Sequence, residues 1–397
     1  MHRTGRLGFV TPRYGDAVIG GAETVMREAA HGLAARGWDV EVLTTCARDH
    51  FSWANEYEAG VTEEWGVTVR RFPTVTDTPR AERAEIEAAI LGGERPSIEL
   101  QQRWMNDDVR VPGLYHHLLD HDDDYRALVF APYLFWPSFA CAQVAPGRTI
   151  LMPCLHDEPH AELELFDPLF TGVRGLWFLS EPERDLAARL HDELAPHEVI
   201  GSGVDVPDDY DAGAFRERFG ITAPFVYYAG RREGGKNWER LLDGFAAAVQ
   251  RTDIPLHLVT SGTGEVRPPA AIVDRVVDLG FLEEKDRNDA FSAAAAYVQP
   301  SPYESFSRTL MEAWLAGTLP IANAASDVVA WHMARAGSGL LYDDDFELEQ
   351  CLRFVAEAPD AAATLAAPGR EYVLAHYTWD PVLDRMEATI DSWMPGS

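Results

Sequence analysis

Glu304 and Glu312 stand eight residues apart in the segment PSPYESFSRTLMEA, residues 300–313. A strand-like apolar run, Ala296–Gln299, precedes the segment, and apolar residues at helical spacing follow from about Ser307 to Ala316. A helix starting near Ser307 carries Glu312 about 7–8 Å along its axis, at ~1.5 Å per residue, and leaves Glu304 in the loop ahead. The backbone N–H groups at Ser307–Thr309 then lie between the carboxylates. First-turn donors have no partner inside a helix and suit a phosphate. Carboxylate, anion hole and second carboxylate match a sugar, a diphosphate and a ribose laid end to end. The bland alternative is a helix with one dipole-favoured glutamate and one solvated glutamate.

A second constellation is GRREGGKN, residues 230–237, directly after the apolar run Phe225–Ala229. It has the GxxxxGK spacing of a phosphate-binding P-loop, but Asn237 stands where the magnesium-binding Ser or Thr belongs. Arg231 and Lys236 still put two cations at the carboxyl end of a strand, unless they are solvated surface charges. Only two of the 34 basic residues are lysines, Lys236 and Lys285. Gly20-Gly21-Ala22-Glu23 closes a loop ahead of a helix. Its glycines let backbone N–H groups approach an anion, or they merely make a flexible loop before a dipole-favoured acid. The GxGxxG dinucleotide fingerprint is missing there.

Three weaker signals remain. His156 ends a strand-like run beside Asp157, Glu158 and His160; placed at a strand end, it reads as a substrate contact. His116, His117 and His121 near Asp122–Asp124 read as a solvated acidic turn rather than a metal site, since no HExxH is present. Gly262-Thr263-Gly264 is either a simple turn or a site loop, and the aromatic stretch Tyr133–Phe139 reads as core.

The elements that must hold these residues alternate between strand and helix. Leu7–Val10, a helix Glu23–Ala35 stopped at Gly37, and Val40–Leu43 form a strand–loop–helix–strand unit. Strands follow at Val67–Phe72, Ala127–Phe130, Arg148–Met152 and Gly175–Leu179. Residues 74–112 break the pattern with a charged helical stretch, Arg80–Leu91, and a piece near Ile98–Met105, and read as an inserted or flexible segment. A second alternating unit runs from Phe225 through a helix Trp238–Val249, strands Leu256–Thr260 and Val276–Leu279, a helix Lys285–Ala294, and strands Ala296–Gln299 and Leu319–Ala322. The expected fold is α/β, with two Rossmann-like doubly wound domains facing a central cleft. Their expected extents are 1–200, a linker at 201–213 and 214–375, with a C-terminal helix in 376–397.

Length and charge narrow the function. The 397 residues suit two or three domains, and 46% hydrophobic residues supply their cores. A formal charge of −30 disfavours a nucleic-acid binder. No apolar run approaches the ~18 residues of a membrane span, and residues 1–30 lack the pattern of a signal peptide. Four scattered cysteines without a CxxC pair fit a reducing compartment, so a cytoplasmic location is expected.

The segment ESFSRTLMEA after YVQPSPY resembles the signature of retaining glycosyltransferases of family 4, the glycosyl transferases group 1. GGAE, His156-Asp157, Gly203-Val204-Asp205 and GRREGGKN match the same family in the same order, so the resemblance covers nearly the whole chain. It implies the two-domain GT-B fold, a C-terminal helix packing back toward the first domain, and a nucleoside-diphosphate sugar as donor. By that resemblance Gly20 and Gly21 approach the donor, and Arg231 and Lys236 neutralise the diphosphate. Glu304 binds sugar hydroxyls, with Phe306, Ser307 and Arg308 near sugar and phosphate. Glu312 accepts from the ribose, Leu282 marks where backbone meets the nucleobase, and His156 lies by the reacting sugar. Ser307 stands where glycine is usual and Arg308 where an aliphatic residue is usual.

The expected function is therefore metal-independent transfer of a hexose to a glycan, lipid or small-molecule hydroxyl, with no cofactor. Two rivals stand beside it. A P-loop NTPase is weakened by Asn237 and leaves the glutamate pair unexplained. A non-catalytic two-lobed nucleotide- or sugar-binding protein is weakened by the lack of an export signal.

Overall fold

The computed structural model describes residues 4–18, 20–75, 81–232, 234–252 and 254–394. Arg80 and Glu233, both part of segments singled out above, lie outside the described residues. The chain forms two compact units. The first comprises the chain up to Gly203 together with the residues from Trp379 onward; the second is Val204–Thr378.

In the first unit the chain runs β1 (Arg6–Val10), α1 (Gly21–Ala35), β2 (Asp39–Thr45), β3 (Gly60–Glu64), β4 (Val67–Phe72), α2 (Ala81–Leu91), α3 (Ile98–Asn106) and α4 (Pro112–His121). It continues with β5 (Tyr125–Phe130), α5 (Trp136–Cys141), β6 (Thr149–Leu151), α6 (Asp167–Thr171), β7 (Gly175–Phe178), α7 (Glu181–Leu190) and β8 (His197–Val199). The sheet order is β3-β4-β2-β1-β5-β6-β7-β8, parallel except where β3 meets β4. Central strands such as GLWF of β7 are buried throughout, because a parallel sheet is covered on both faces. β1 pairs with β2 on one side and β5 on the other. The strand order reverses there, and the loop after β1 opens at that switch point.

The segment 81–111 departs from the expected insert. Ile86 and Ile90 of α2, Trp104 and Met105 of α3, and Val111 all belong to the buried core of this unit. Ile86 and Ile90, one turn apart, point inward together, and the glutamates around them hide that stripe in the sequence. Trp104 Nε1 donates to Glu87 at 2.6 Å, and His160 stacks on the indole while contacting Glu87 at 3.0 Å. His117 and His121 lie on α4, and His117 meets the Tyr125 hydroxyl at 3.1 Å.

The second unit runs α8 (Ala212–Phe219), β9 (Phe225–Ala229), α9 (Trp238–Thr252), β10 (His257–Ser261), β11 (Val276–Asp278), α10 (Glu284–Ala293) and β12 (Ala296–Gln299). It continues with α11 (Arg308–Leu315), β13 (Pro320–Asn323), α12 (Asp327–Ala336), β14 (Leu340–Tyr342), α13 (Asp345–Glu357) and α14 (Pro359–His376). Its sheet is parallel in the order β11-β10-β9-β12-β13-β14, with the switch at β9. The expected linker 201–213 ends early, because α8 starts at Ala212 with the Asp211 carboxylate capping Ala214 N–H at 2.8 Å. The last helix, α15 (Trp379–Trp393), belongs to the first unit. Arg36 pairs with Asp380, Asp384 and Glu387 of α15, and Trp177 Nε1 donates to Thr389 Oγ1 at 2.8 Å.

His332 on α12 is fully buried. Its Nδ1 meets the Tyr372 hydroxyl at 2.9 Å, and its ring packs edge-on against Phe306 and Tyr377. Burial pulls its pKa down to about 3, so it folds as the neutral imidazole. Between about pH 6.5 and 3 the unfolded chain binds a proton here that the folded chain refuses, so stability falls as the pH drops through that window. A series of melting temperatures from pH 7 to 4 should decline less steeply in His332→Gln than in the unmutated protein. Equal slopes would refute this assignment.

Candidate active site

The loop after β9 is built by close backbone contacts. Gly230 N–H donates to Ser261 O at 3.0 Å and Arg232 N–H to Thr263 O at 2.8 Å, which binds this loop to the Gly262-Thr263-Gly264 turn. Gly262 has φ +127°, and a Cβ there would stand 2.0 Å from Gly230 O, so only glycine fits. Arg232 is buried, donating to Thr260 Oγ1 and to the carbonyls of Gly262 and Gly264, and pairs with Asp278. Arg231 beside it is exposed, with its carbonyl fixed by the Tyr228 hydroxyl.

This scaffold carries Lys236 to Glu304. Lys236 Nζ donates to Glu304 Oε1 at 2.7 Å, and Gln299 Nε2 reaches the same oxygen at 3.1 Å and Ser307 Oγ at 3.0 Å. Asn237 Nδ2 donates to Pro300 O at 3.2 Å, which ties the lysine loop to the segment ahead of α11. The side chain at the P-loop's magnesium position is thus engaged with backbone. Ser307 caps α11 with φ +67°, in the left-handed region that glycine enters at least cost, which accounts physically for the glycine that the resemblance puts at this position. Phe306 is buried beneath the loop against His332 and Tyr377. Arg308 is half-buried at the first turn of α11.

Glu312 lies on α11 and faces α10. Arg287 Nη2 donates to its Oε1 at 3.2 Å, while Oε2 is closed off from water without a donor. The Glu312 charge is the main influence holding the Arg287 guanidinium above its ordinary range. Leu282 packs its side chain into the core with Phe291 and Tyr297, and neighbouring Phe281 is exposed.

Sequence reasoning missed Gln299, Arg232 and Arg287. A polar residue ending the apolar strand β12 was a usable signal for Gln299; nothing local marks Arg287.

In the first unit, Gly20 caps α1 and Gly21 is exposed at its start. A Cβ at Gly20 would lie 2.1 Å from Glu23 Oε2, because the Glu23 carboxylate folds back over this backbone to meet Arg13 at 2.5 Å. Both members of that pair are buried. His156 follows β6 with its side chain one-third exposed and Nδ1 3.9 Å from Glu158. The backbone leading to it is gripped by Glu183. Glu183 Oε1 accepts from Leu155 N–H at 2.7 Å and Oε2 from Leu179 N–H at 2.6 Å, so one buried carboxyl joins the loops after β6 and β7. Burial pushes the Glu183 carboxyl up to about 8, against the pull of these N–H groups. Among the described residues no group of three or more His, Cys, Asp or Glu side chains is arranged to hold a metal ion.

Residues 223–355, which carry both constellations of the second unit, match the family of glycosyl transferases group 1. The similarity to that family lies within the second unit. A mannosylfructose-phosphate synthase of Agrobacterium fabrum is 26% identical over 169 residues, 36% of this chain and 37% of the synthase. A GDP-mannose-dependent α-mannosyltransferase of Mycolicibacterium smegmatis is 29% identical over 214 residues, 49% of this chain and 52% of the relative. The matches thus span between about a third and a half of these curated relatives' length. The fold is that of sucrose-phosphate synthase from Thermosynechococcus elongatus, with TM-score 0.75 and 18% identity over 99% of this chain and 100% of the other. Anabaena HepE, solved in complex with UDP and glucose, gives TM-score 0.71 and 15% identity over 98% of this chain and 100% of its own. The architecture is therefore that of the GT-B fold, two parallel-sheet Rossmann-like units, the second of which contains residues 223–355.

Proposed function

We propose that the chain is a retaining glycosyltransferase that moves a hexose from a nucleoside-diphosphate sugar to an acceptor hydroxyl without a metal ion. The observation that carries this reading is the Lys236–Glu304 pair in the loop ahead of α11, eight residues before Glu312, whose Oε2 has no donor. In the reaction the bond between the anomeric carbon and the diphosphate oxygen breaks, and its electron pair leaves with the nucleoside diphosphate. The acceptor oxygen bonds the anomeric carbon on the same face, and its proton passes to the departing phosphate oxygen. Negative charge develops on the leaving group, where Arg231, Lys236 and the first-turn N–H groups of α11 stabilise it. Glu304 holds the sugar hydroxyls and Glu312 the ribose.

The names of the relatives, one dependent on GDP-mannose and one crystallised with UDP and glucose, support a hexose donor. The acceptor is a hydroxyl of a glycan, lipid or small molecule. No described helix is long and apolar enough to cross a membrane, and the reading places the enzyme in the cytoplasm. The formal charge of −30 speaks against nucleic acid as a partner.

The test is a panel of UDP- and GDP-hexoses with detection of released nucleoside diphosphate, run with and without EDTA. Release that depends on added acceptor and survives EDTA is expected. Hydrolysis of ATP or GTP instead would favour the NTPase. Abolition by EDTA with restoration by Mg²⁺ would overturn metal independence.

A further inference from the structure

Glu312 is held from one side only. Arg287, one turn into α10, contacts Oε1, while Oε2 is buried and accepts no hydrogen bond. Arg287 Nε is also buried without an acceptor, so the guanidinium is committed to this carboxylate through its Nη2 end. The Glu304 carboxylate, by contrast, already takes donors from Lys236 and Gln299. A buried carboxylate oxygen without a donor carries a desolvation cost that a hydroxyl donor would remove. A vicinal diol supplies such donors, and a bare carboxylate close to a diphosphate would repel it unless a cation offset its charge. A planar guanidinium does both tasks, neutralising Glu312 and fixing the orientation of its free oxygen.

We propose that Arg287 is a positioning residue for nucleotide recognition: it pins Oε1 of Glu312 and leaves Oε2 without a protein donor, so that Oε2 accepts from the ribose hydroxyls of the donor once nucleotide binding displaces what covers it. This rests on the donor being a nucleoside-diphosphate sugar, as proposed above. Arg287 itself need not touch the nucleotide.

The test is calorimetric binding of UDP and GDP and of their 2′-deoxy counterparts to the unmutated chain, Arg287→Lys and Arg287→Met. The unmutated protein should prefer the ribonucleotide about tenfold, the effect of one hydrogen bond to a charged group. Arg287→Met should bind the ribonucleotide about tenfold more weakly and lose that preference, while Arg287→Lys keeps most of both. On a Glu312→Gln background, adding Arg287→Met should change the ribo-to-deoxy ratio no further. In turnover, the donor KM should rise more than kcat falls. Uniform weakening with an unchanged ratio would reduce Arg287 to a structural residue and overturn the inference. Should Arg287→Met fail to fold, Arg287→Gln takes its place: a lost ribo-to-deoxy preference supports the inference and an unchanged one overturns it. If the unmutated chain binds no nucleoside diphosphate at all, the functional reading falls first and the inference with it.

Discussion

Lys236→Ala should lower sugar transfer at least roughly tenfold, and added Mg²⁺ should not restore it. A fixed charge aimed at a developing anion is worth ~2–4 kcal/mol of barrier, and the neighbouring backbone N–H groups keep only part of that stabilisation. The lysine has a second task, because its Nζ holds Glu304 at 2.7 Å. On the proposed reading its loss leaves a carboxylate beside the diphosphate with one cation fewer. Glu304→Gln should also depress transfer strongly, while free nucleoside diphosphate still binds, since under the proposed function the amide loses the charge-assisted bond to a sugar hydroxyl but leaves the phosphate cations in place. The two losses should not add in the double variant, because each single change already breaks the pair. Initial rates from released nucleoside diphosphate, with binding measured separately, check all three variants. Near-normal rates in both single variants would return the pair to an ordinary surface ion pair.

Glu183→Ala should destabilise the first unit strongly. It removes the acceptor from the buried N–H groups of Leu155 and Leu179 at once, and each orphaned donor costs ~1–3 kcal/mol. At ~2–4 °C per kcal/mol for a unit of this size, the melting temperature should fall by about 5–20 °C. Glu183→Gln should cost less, since the amide keeps one acceptor. The pH dependence gives a sharper check. The folded carboxyl holds its proton until about pH 8, whereas the unfolded one releases it near 4.5. The unmutated protein therefore loses this contribution as the pH rises between those values, and the non-titrating Gln variant does not. The gap in melting temperature between the two should narrow from pH 5 to pH 9. A gap that stays constant over this range would mean that the carboxyl is ionised in the fold. The sign is opposite to that of His332, whose contribution is lost toward acid, so the two groups can be separated by where each variant departs from the parent.

What the amino-acid sequence determined by itself was local. Apolar periodicity placed most of the strands, with both ends of β12 and the whole of β4, Val67–Phe72, but it passed over β3, β8 and β14 and the helices α12, α13 and α14. Glu304 in a loop and Glu312 on the following helix also followed, because a cap and the first turns of a helix are written in neighbouring residues. The tertiary structure alone decided which groups meet. Lys236 reaches Glu304 across 68 residues of chain, and Arg287 reaches Glu312 across 25, with no spacing rule linking either pair. It also decided that α2 and α3 are core elements, since two buried isoleucines among glutamates carry too weak a stripe to show which way a helix turns. The place of α15 in the first unit was implied by the family resemblance, and only the tertiary structure shows what holds it there. Its partners are Arg36, Trp38 and Trp177, all far back in the chain. Periodicity records whether a residue faces inward, while a hydrogen bond or ion pair between distant residues depends on the register in which whole sheets and helices pack, and that register is set only when the core closes.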